Sequence, residues 1–300
     1  MDEEMVTHVR RFNRVVTQHV GALNDRYLSR AHSLGEARVL WEIGLDGSDV
    51  RSLRLRLGLD SGYLSRLLGT LVAAGLVIVG RNEDDHRMRT ARLTRAGVRE
   101  RAVLDTRSDQ LAESLLAPLS PEQRAHLCTA MGEVVQLVTA ATVSLTPLDP
   151  AHPEARQCFR AYFAELGRRF DSGFDPSRSI SADDDELRSP AGLLVVARLR
   201  GFAVGCGALK FHGDAPAELK RMWVAGSARH LGLGRRILTE LERLALANGV
   251  RTLRLETNRS LLEAIHLYRS TGYVEVPAFN DEPYAHHWFE KRLIEGTTTR

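Results

Sequence analysis

Three hundred residues, 43% of them hydrophobic, supply more core than one ordinary domain needs, so two domains are expected. The net charge of +3 singles out no partner. Three widely spaced cysteines without a C-x-x-C suggest neither a disulfide framework nor a zinc site, and the eleven His show no H-E-x-x-H, so no metal is expected. The opening Met-Asp-Glu-Glu lacks a signal-peptide pattern and the longest apolar run, 71–79, is too short to cross a bilayer. A cytoplasmic chain with no membrane partner is therefore expected.

Met5, Val9, Phe12 and Val16, with Val6 and Val20, mark a first helix whose apolar stripe finds no partner in its immediate neighbours. Short helices follow over 35–43 and 50–57. The second ends at Gly58, and Asp60 or Ser61 caps a further helix running to Ala74, with Gly75 as its stop. Leu64, Leu67, Leu68 and Leu71 form the inward stripe of that helix. Ser61, Gly62, Ser65, Arg66 and Gly69 then turn outward, with Tyr63 at the edge, a small and polar face suited to entering a DNA groove. Strands at 75–79 and 90–94 flank a charged hairpin that includes Asp85, Arg87 and Arg89. The window 51–101 holds eleven Arg against five acids, a local excess of +6.

Two runs give these elements a resemblance. Asp60-Ser-Gly-Tyr-Leu-Ser-Arg66 followed by Ala74-Gly-Leu-Val77, and Asp85-His-Arg87 followed by Leu93-Thr94 and Gly97, are similar to the recognition helix and wing of MarR-type regulators. The resemblance implies a mainly α winged helix over residues 1–141. It assigns double-stranded DNA contacts, on an inverted-repeat operator, to Ser61, Tyr63, Ser65, Arg66, Arg87 and Arg89. It also makes the chain a homodimer through the first helix and the helix opened by Pro121, which carries Leu127, Met131, Val134, Val135 and Val138. The alternatives are a solvated charged hairpin and terminal helices that only cover their own core.

After prolines at 147, 150 and 153, the segment 142–300 reads as a second domain. Cys158, Tyr162, Leu166 and Phe170 mark a helix, 174–190 a loop, and 193–199 with 202–211 a hairpin around Arg200-Gly201. A strand follows, with Leu219, Arg221 and Trp223 on one face and Glu218, Lys220, Met222 and Val224 on the other. Then come Arg229-His-Leu-Gly232-Leu-Gly234 and a helix with apolar Ile237, Leu238, Leu241, Leu244 and Ala245. Glycines between a strand and a helix let backbone N–H groups converge on one anion, the alternative being a plain Gly-containing strand-to-helix turn. No Lys-Ser/Thr follows as a P-loop requires, and Ile237 stands where a dinucleotide fingerprint needs its third Gly.

This loop resembles the central motif of the GNAT acetyltransferases. Leu253-Arg-Leu-Glu-Thr-Asn258, Ala264-Ile-His-Leu-Tyr268 and Gly272-Tyr273 continue the likeness, which covers about 143–293. It implies an α/β GNAT fold with a mixed, mostly antiparallel sheet, acetyl-CoA as co-substrate and an amine as acceptor. Cofactor contacts fall to Met222, Val224, Arg229, His230, Leu231, Gly232, Leu233, Gly234, Arg235 and Asn258. Tyr268 becomes the acid that protonates the leaving thiolate, the alternative being a core tyrosine. Glu218 becomes the general base, the alternatives being a plain strand glutamate with water as the base. Asn258 either contacts the cofactor or caps a helix. The whole reads as a regulator that is also an N-acetyltransferase on a small-molecule amine or a protein lysine. The alternative is a regulator whose GNAT lobe senses acyl-CoA without turnover.

Overall fold

The computed structural model describes residues 2–20, 28, 32–81, 88–180 and 182–294. It forms two compact units, Met1–Ala130 and Met131–Arg300. The division falls inside the helix opened by Pro121.

The first unit contains α1 (Glu3–His19), α2 (Leu34–Ile43), β1 (Ser48–Asp49), α3 (Val50–Leu57), α4 (Ser61–Ala73), β2 (Val77–Arg81), β3 (Arg89–Leu93) and α5 (Arg95–Leu116); α6 (Pro121–Ala141) runs across the division. Short polar side chains set the helix starts. Ser33 and Glu36 cap α2 reciprocally, and Asp49, Asp60 and Thr94 cap α3, α4 and α5. Gly58 ends α3 in the left-handed region at φ 64°, where a Cβ is disfavoured. Leu40, Ile43, Leu53, Leu64, Leu68 and Leu71 pack one core with Val77 and Ala91 of the three-stranded antiparallel sheet β1-β3-β2. Neither α1 nor α6 buries a residue: Met5, Val9, Val135 and Leu137 stand 64%, 59%, 65% and 71% exposed.

The second unit contains β4 (Ser144–Pro147), α7 (Pro153–Arg169), β5 (Gly192–Leu199), β6 (Phe202–His212), β7 (Ala215–Val224), α8 (Leu233–Ala247), β8 (Thr252–Thr257), α9 (Leu262–Ser270), β9 (Val274–Val276) and β10 (His287–Arg292). They build a seven-stranded sheet of order β4-β5-β6-β7-β8-β10-β9, antiparallel except between β7 and β8. One face packs on α8 and α9 through Ile237, Leu238, Leu241, Ile265 and Phe289. The other packs on α7 through Cys158 and Phe159. Each buried Leu or Ile of α8 contributes roughly 1.5–3 kcal/mol, so that stripe alone fixes the helix on the sheet.

Strand β7 is irregular: besides a register shift opposite Lys210 and His212, two features shape the site. Its pairing with β6 shifts register between Cys206 and Ala208, and Arg221 takes a left-handed φ of 54°, so an extra residue bulges out of the strand. The bulge reverses the faces. Ala217, Leu219, Met222 and Val224 lie toward α8, while Trp223 packs toward α7 and the Arg221 guanidinium lies over Phe159 of α7. The expected grouping of Glu218 with Met222 and Val224 is therefore corrected: simple alternation holds only up to the bulge. Second, β7 pairs with β8 only at Ala217–Leu253 and Glu218–Arg254, although both strands run on to Val224 and Thr257. Beyond those pairs the strands part.

Candidate functional site

The loop between β7 and α8 turns at His230 and Gly232, both left-handed at φ 65° and 69°. Gly232 is the N-cap of α8, and no side chain bonds the free N–H groups of the helix's first turn. A Cβ at Gly232 would meet nothing within 4 Å, and one at Gly234 would meet only the flexible end of Leu267, at 3.3 Å. Open space thus lies against an uncapped helix N-terminus, the arrangement that suits a phosphate. The remaining loop side chains have defined places. Arg229 pairs with Glu165 of α7, which also accepts Trp223 Nε1 at 3.0 Å, so the loop is tied to α7. Arg235 is exposed and donates to Ser270 Oγ at 3.0 Å; His230 is exposed; Leu231 packs against the core and Leu233 is buried in it.

Tyr268 projects from α9 into the sheet face, with Tyr273 and Phe289 at ring distances of 5.8 and 6.0 Å. Only 5% of it is exposed, and its hydroxyl has no hydrogen-bond partner among the described residues. Burial first, and the Glu256 carboxylate second, push its phenol above the ordinary value, so it stays protonated at neutral pH.

Glu218 is 7% exposed and belongs to an ion cluster across β7 and β8. Lys220 Nζ lies 3.0 Å from Glu218 and pairs also with Glu256, and Arg254 donates to Glu218 at 3.0 Å. Burial works against the Glu218 carboxylate, but Lys220 and Arg254 outweigh it and hold the group below the usual carboxylate range. Lys220 is held above its ordinary range, since Glu256 and Glu218 outweigh its burial. A carboxylate so placed is a poor proton acceptor. The Asn258 amide is also engaged: its oxygen accepts from Ser260 N and Oγ at 2.9 and 2.8 Å, and its nitrogen donates to Tyr284 O at 2.7 Å.

Where β7 and β8 part, a cleft opens on the α7 side, with about 550 Å³ of space when the solvent at its mouth is counted. Lys220, Arg221, Glu256 and Asn258 line it at the strands, Tyr162 and Phe163 from α7, and Glu282 and Tyr284 from the loop before β10. Among the described residues no cluster of three or more His, Cys, Asp or Glu is arranged to hold a metal, and no helix is long and apolar enough to cross a membrane.

In the first unit the outward face of α4 is as expected. Ser61, Gly62, Ser65, Arg66 and Gly69 are exposed, Tyr63 is 38% exposed, and the Arg66 guanidinium lies 5.6 Å from the Tyr63 ring centroid. Arg89 is exposed and stands opposite Arg81 across the β2–β3 ladder, so two like charges share the foot of the hairpin. Asp85 and Arg87 lie outside the described residues.

Among known families, residues 156–273 match the profile of the acetyltransferase (GNAT) family and residues 28–88 that of the MarR family. An IAA acetyltransferase of Azospirillum brasilense is 35% identical over 121 residues, which are 40% of this chain and 78% of that protein. The chain belongs to the GNAT acetyltransferase family, and residues 28–88 of its first half are similar to the MarR family. A solved structure assigned as an acyl-CoA N-acyltransferase of Klebsiella pneumoniae shares 28% identity at a TM-score of 0.42, covering 51% of this chain and 99% of that one. A MarR variant from E. coli complexed with operator DNA shares 25% identity at a TM-score of 0.38, covering 45% of this chain and 99% of that one.

Within this GNAT domain the structure brings Gly232, Gly234, Met222, Val224 and Tyr268 around one face of the sheet, and sets Glu218 into a separate ion cluster. Sequence reasoning missed Lys220, Glu256, Tyr162 and Glu282. Glu256 lay in plain view inside the second motif. Tyr162 read as one more position of a core stripe, and Glu282 carried no signal.

Proposed function

We propose that the protein is a dimeric DNA-binding regulator and an acetyl-CoA-dependent N-acetyltransferase acting on an amine. The observation that supports turnover best is an unpartnered, protonated phenol at Tyr268 in the same core as the uncapped N-terminus of α8. A domain that only sensed acyl-CoA would have no use for that free donor.

Acetyl-CoA supplies an activated thioester and an anionic pyrophosphate. The amides of Leu233, Gly234 and Arg235, with Gly232 clearing their approach, hold the pyrophosphate. Amides of Met222 to Val224, where β8 has left the ladder, are fixed donors for charge growing on the thioester oxygen. Tyr268 gives its proton to the departing sulfur. The amine's proton leaves to water in the cleft, because Glu218 is held by Lys220 and Arg254. Glu218 thus acts by fixing Lys220 between the strands, and Asn258 by fixing the Tyr284 loop.

Thiol release from acetyl-CoA, measured against amines and lysine peptides, tests the enzymatic half: no amine-dependent release despite tight acetyl-CoA binding would leave only the sensing role. For the first half, α4 enters the major groove with Arg66, Tyr63, Ser61 and Ser65, and Arg87 and Arg89 of the hairpin meet the DNA beside it. The exposed stripes of α1 and α6 pair two copies. Selection from random DNA should enrich an inverted repeat with half-sites spaced by about 10 base pairs or a multiple; enrichment of none would refute specific binding.

A further inference from the structure

Four aromatic rings line one end of the cleft in mutual contact. Phe174 lies 5.6 Å from Phe163, 5.8 Å from Phe170 and 4.9 Å from Tyr284, centroid to centroid, and Phe170 lies 5.8 Å from Tyr284. Beside them stands Glu282, only 8% exposed and itself part of the cleft wall. Its carboxylate accepts from Ser179 Oγ at 2.9 Å, Ile180 N at 2.7 Å and Tyr284 N at 3.3 Å. All three donors are neutral, and among the described residues no Lys, Arg or His forms an ion pair with Glu282. Every other charge on the cleft wall is placed differently. Glu256 pairs with Lys220, and the Arg221 guanidinium lies 4.2 and 5.2 Å from the ring centroids of Phe159 and Phe163.

A buried carboxylate without a counter-cation is costly unless a ligand brings the cation. Ring faces attract cations as well as flat apolar groups, and the carboxylate decides between them, since an apolar ring would leave its charge uncompensated. The opposite end of the cleft carries Lys220 and Arg221 with the Glu256 carboxylate where β7 and β8 part, two positive charges to one negative. Positive charge there favours the neutral form of an amine, which is the form that attacks.

We infer that the acceptor of the transfer proposed above, on whose reading this rests, is a diamine: a distal ammonium sits among the rings on Glu282 while the near, neutral amine faces the β7–β8 gap. The near nitrogen forms the C–N bond as the C–S bond breaks. Its surplus proton passes to water, the thiolate takes a proton from Tyr268, the phenol is recharged from solvent, and the distal ammonium is unchanged.

The test uses the full chain with 1,4-diaminobutane and 1,5-diaminopentane, the monoamines of equal length, 2-phenylethylamine and a lysine peptide, read by thiol release from acetyl-CoA. The diamines should exceed the matched monoamines in kcat/KM by about 10-fold or more, the scale of one charge-assisted bond. Glu282→Gln should erase that preference through KM with kcat held. Its unchanged affinity for acetyl-CoA by calorimetry shows an intact fold. Phe174→Leu, which keeps an apolar wall but removes a ring face, should weaken the diamines and spare the monoamines. Equal use of monoamines, preference for 2-phenylethylamine or the peptide, or a diamine preference that survives Glu282→Gln each overturns the proposal. Calorimetry of the diamine alone reads the pocket even without turnover: binding lost in Glu282→Gln supports it, and no binding overturns it. Failure to bind acetyl-CoA would instead strike the acetyltransferase reading.

Discussion

Tyr268→Phe separates a catalytic phenol from a core ring. The Tyr268 hydroxyl has no partner among the described residues, and the ring packs against Tyr273 and Phe289, contacts that phenylalanine keeps. Removing a hydroxyl that makes no bond to the protein gives up no such hydrogen bond, whereas deleting a bonded one costs about 1 kcal/mol. In a unit of this size 1 kcal/mol is about 2–4 °C, so the melting temperature should hold or rise, not fall by that amount. The rate should move the other way. A positioned acid contributes typically about 10²–10⁴-fold, and water can replace part of that, so kcat should drop at least about 10-fold with acetyl-CoA affinity nearly intact. Because burial and Glu256 raise the phenol's pKa, the wild-type rate should not decline through loss of this proton until pH exceeds the ordinary tyrosine value of about 10. The assays are thiol release across pH, calorimetric titration with acetyl-CoA and thermal melting. A variant that turns over at the wild-type rate, or melts lower by several degrees, makes Tyr268 a structural residue and removes the acid from the mechanism.

Gly234→Asp should fold, since its side chain meets only the movable end of Leu267, yet lose about 10-fold or more in acetyl-CoA affinity by calorimetry, because a carboxylate then competes for the α8 amides. Unchanged affinity would take the loop out of the site. Glu218→Gln should lower stability by about 3 kcal/mol in denaturant melts near neutral pH, as it leaves Lys220 and Arg254 short of a buried partner. The folded pKa of Glu218 lies below its unfolded value. Its contribution is therefore present above the ordinary glutamate pKa and is lost as pH falls through the lowered one, and the variant and wild type should converge there. A gap that persists in acid contradicts this. Arg66→Ala should reduce the salt slope of operator binding by about one and blur base preference; an unaltered slope and base preference would mean that α4 does not face DNA.

Much of this was legible because periodicity and caps agree. The stripe Leu64, Leu67, Leu68, Leu71 marks α4, whose cap is Asp60 of the two candidates Asp60 and Ser61, and Gly232 stands at the start of α8. Arg221 shows the limit. A bulge needs one residue out of phase, and an arginine at φ 54° announces nothing in a sequence, so strict alternation carried Glu218 onto the wrong face. The acceptor cleft was illegible for another reason. Phe163, Phe174, Glu282 and Tyr284 come from segments over a hundred residues apart, and only the folded sheet gathers them.

The short seam between β7 and β8 has a mechanical consequence. Strands β4 to β7 form one half-sheet and β8, β10 and β9 another, stitched by two residue pairs. Parting that stitch breaks only about one or two hydrogen bonds, on the order of 1–3 kcal/mol, far less than opening any antiparallel ladder beside it. The sheet is thus weakest along this seam. It can breathe there without unfolding, and amide exchange along Lys220 to Val224 should quicken in the free protein and slow when the gap is filled.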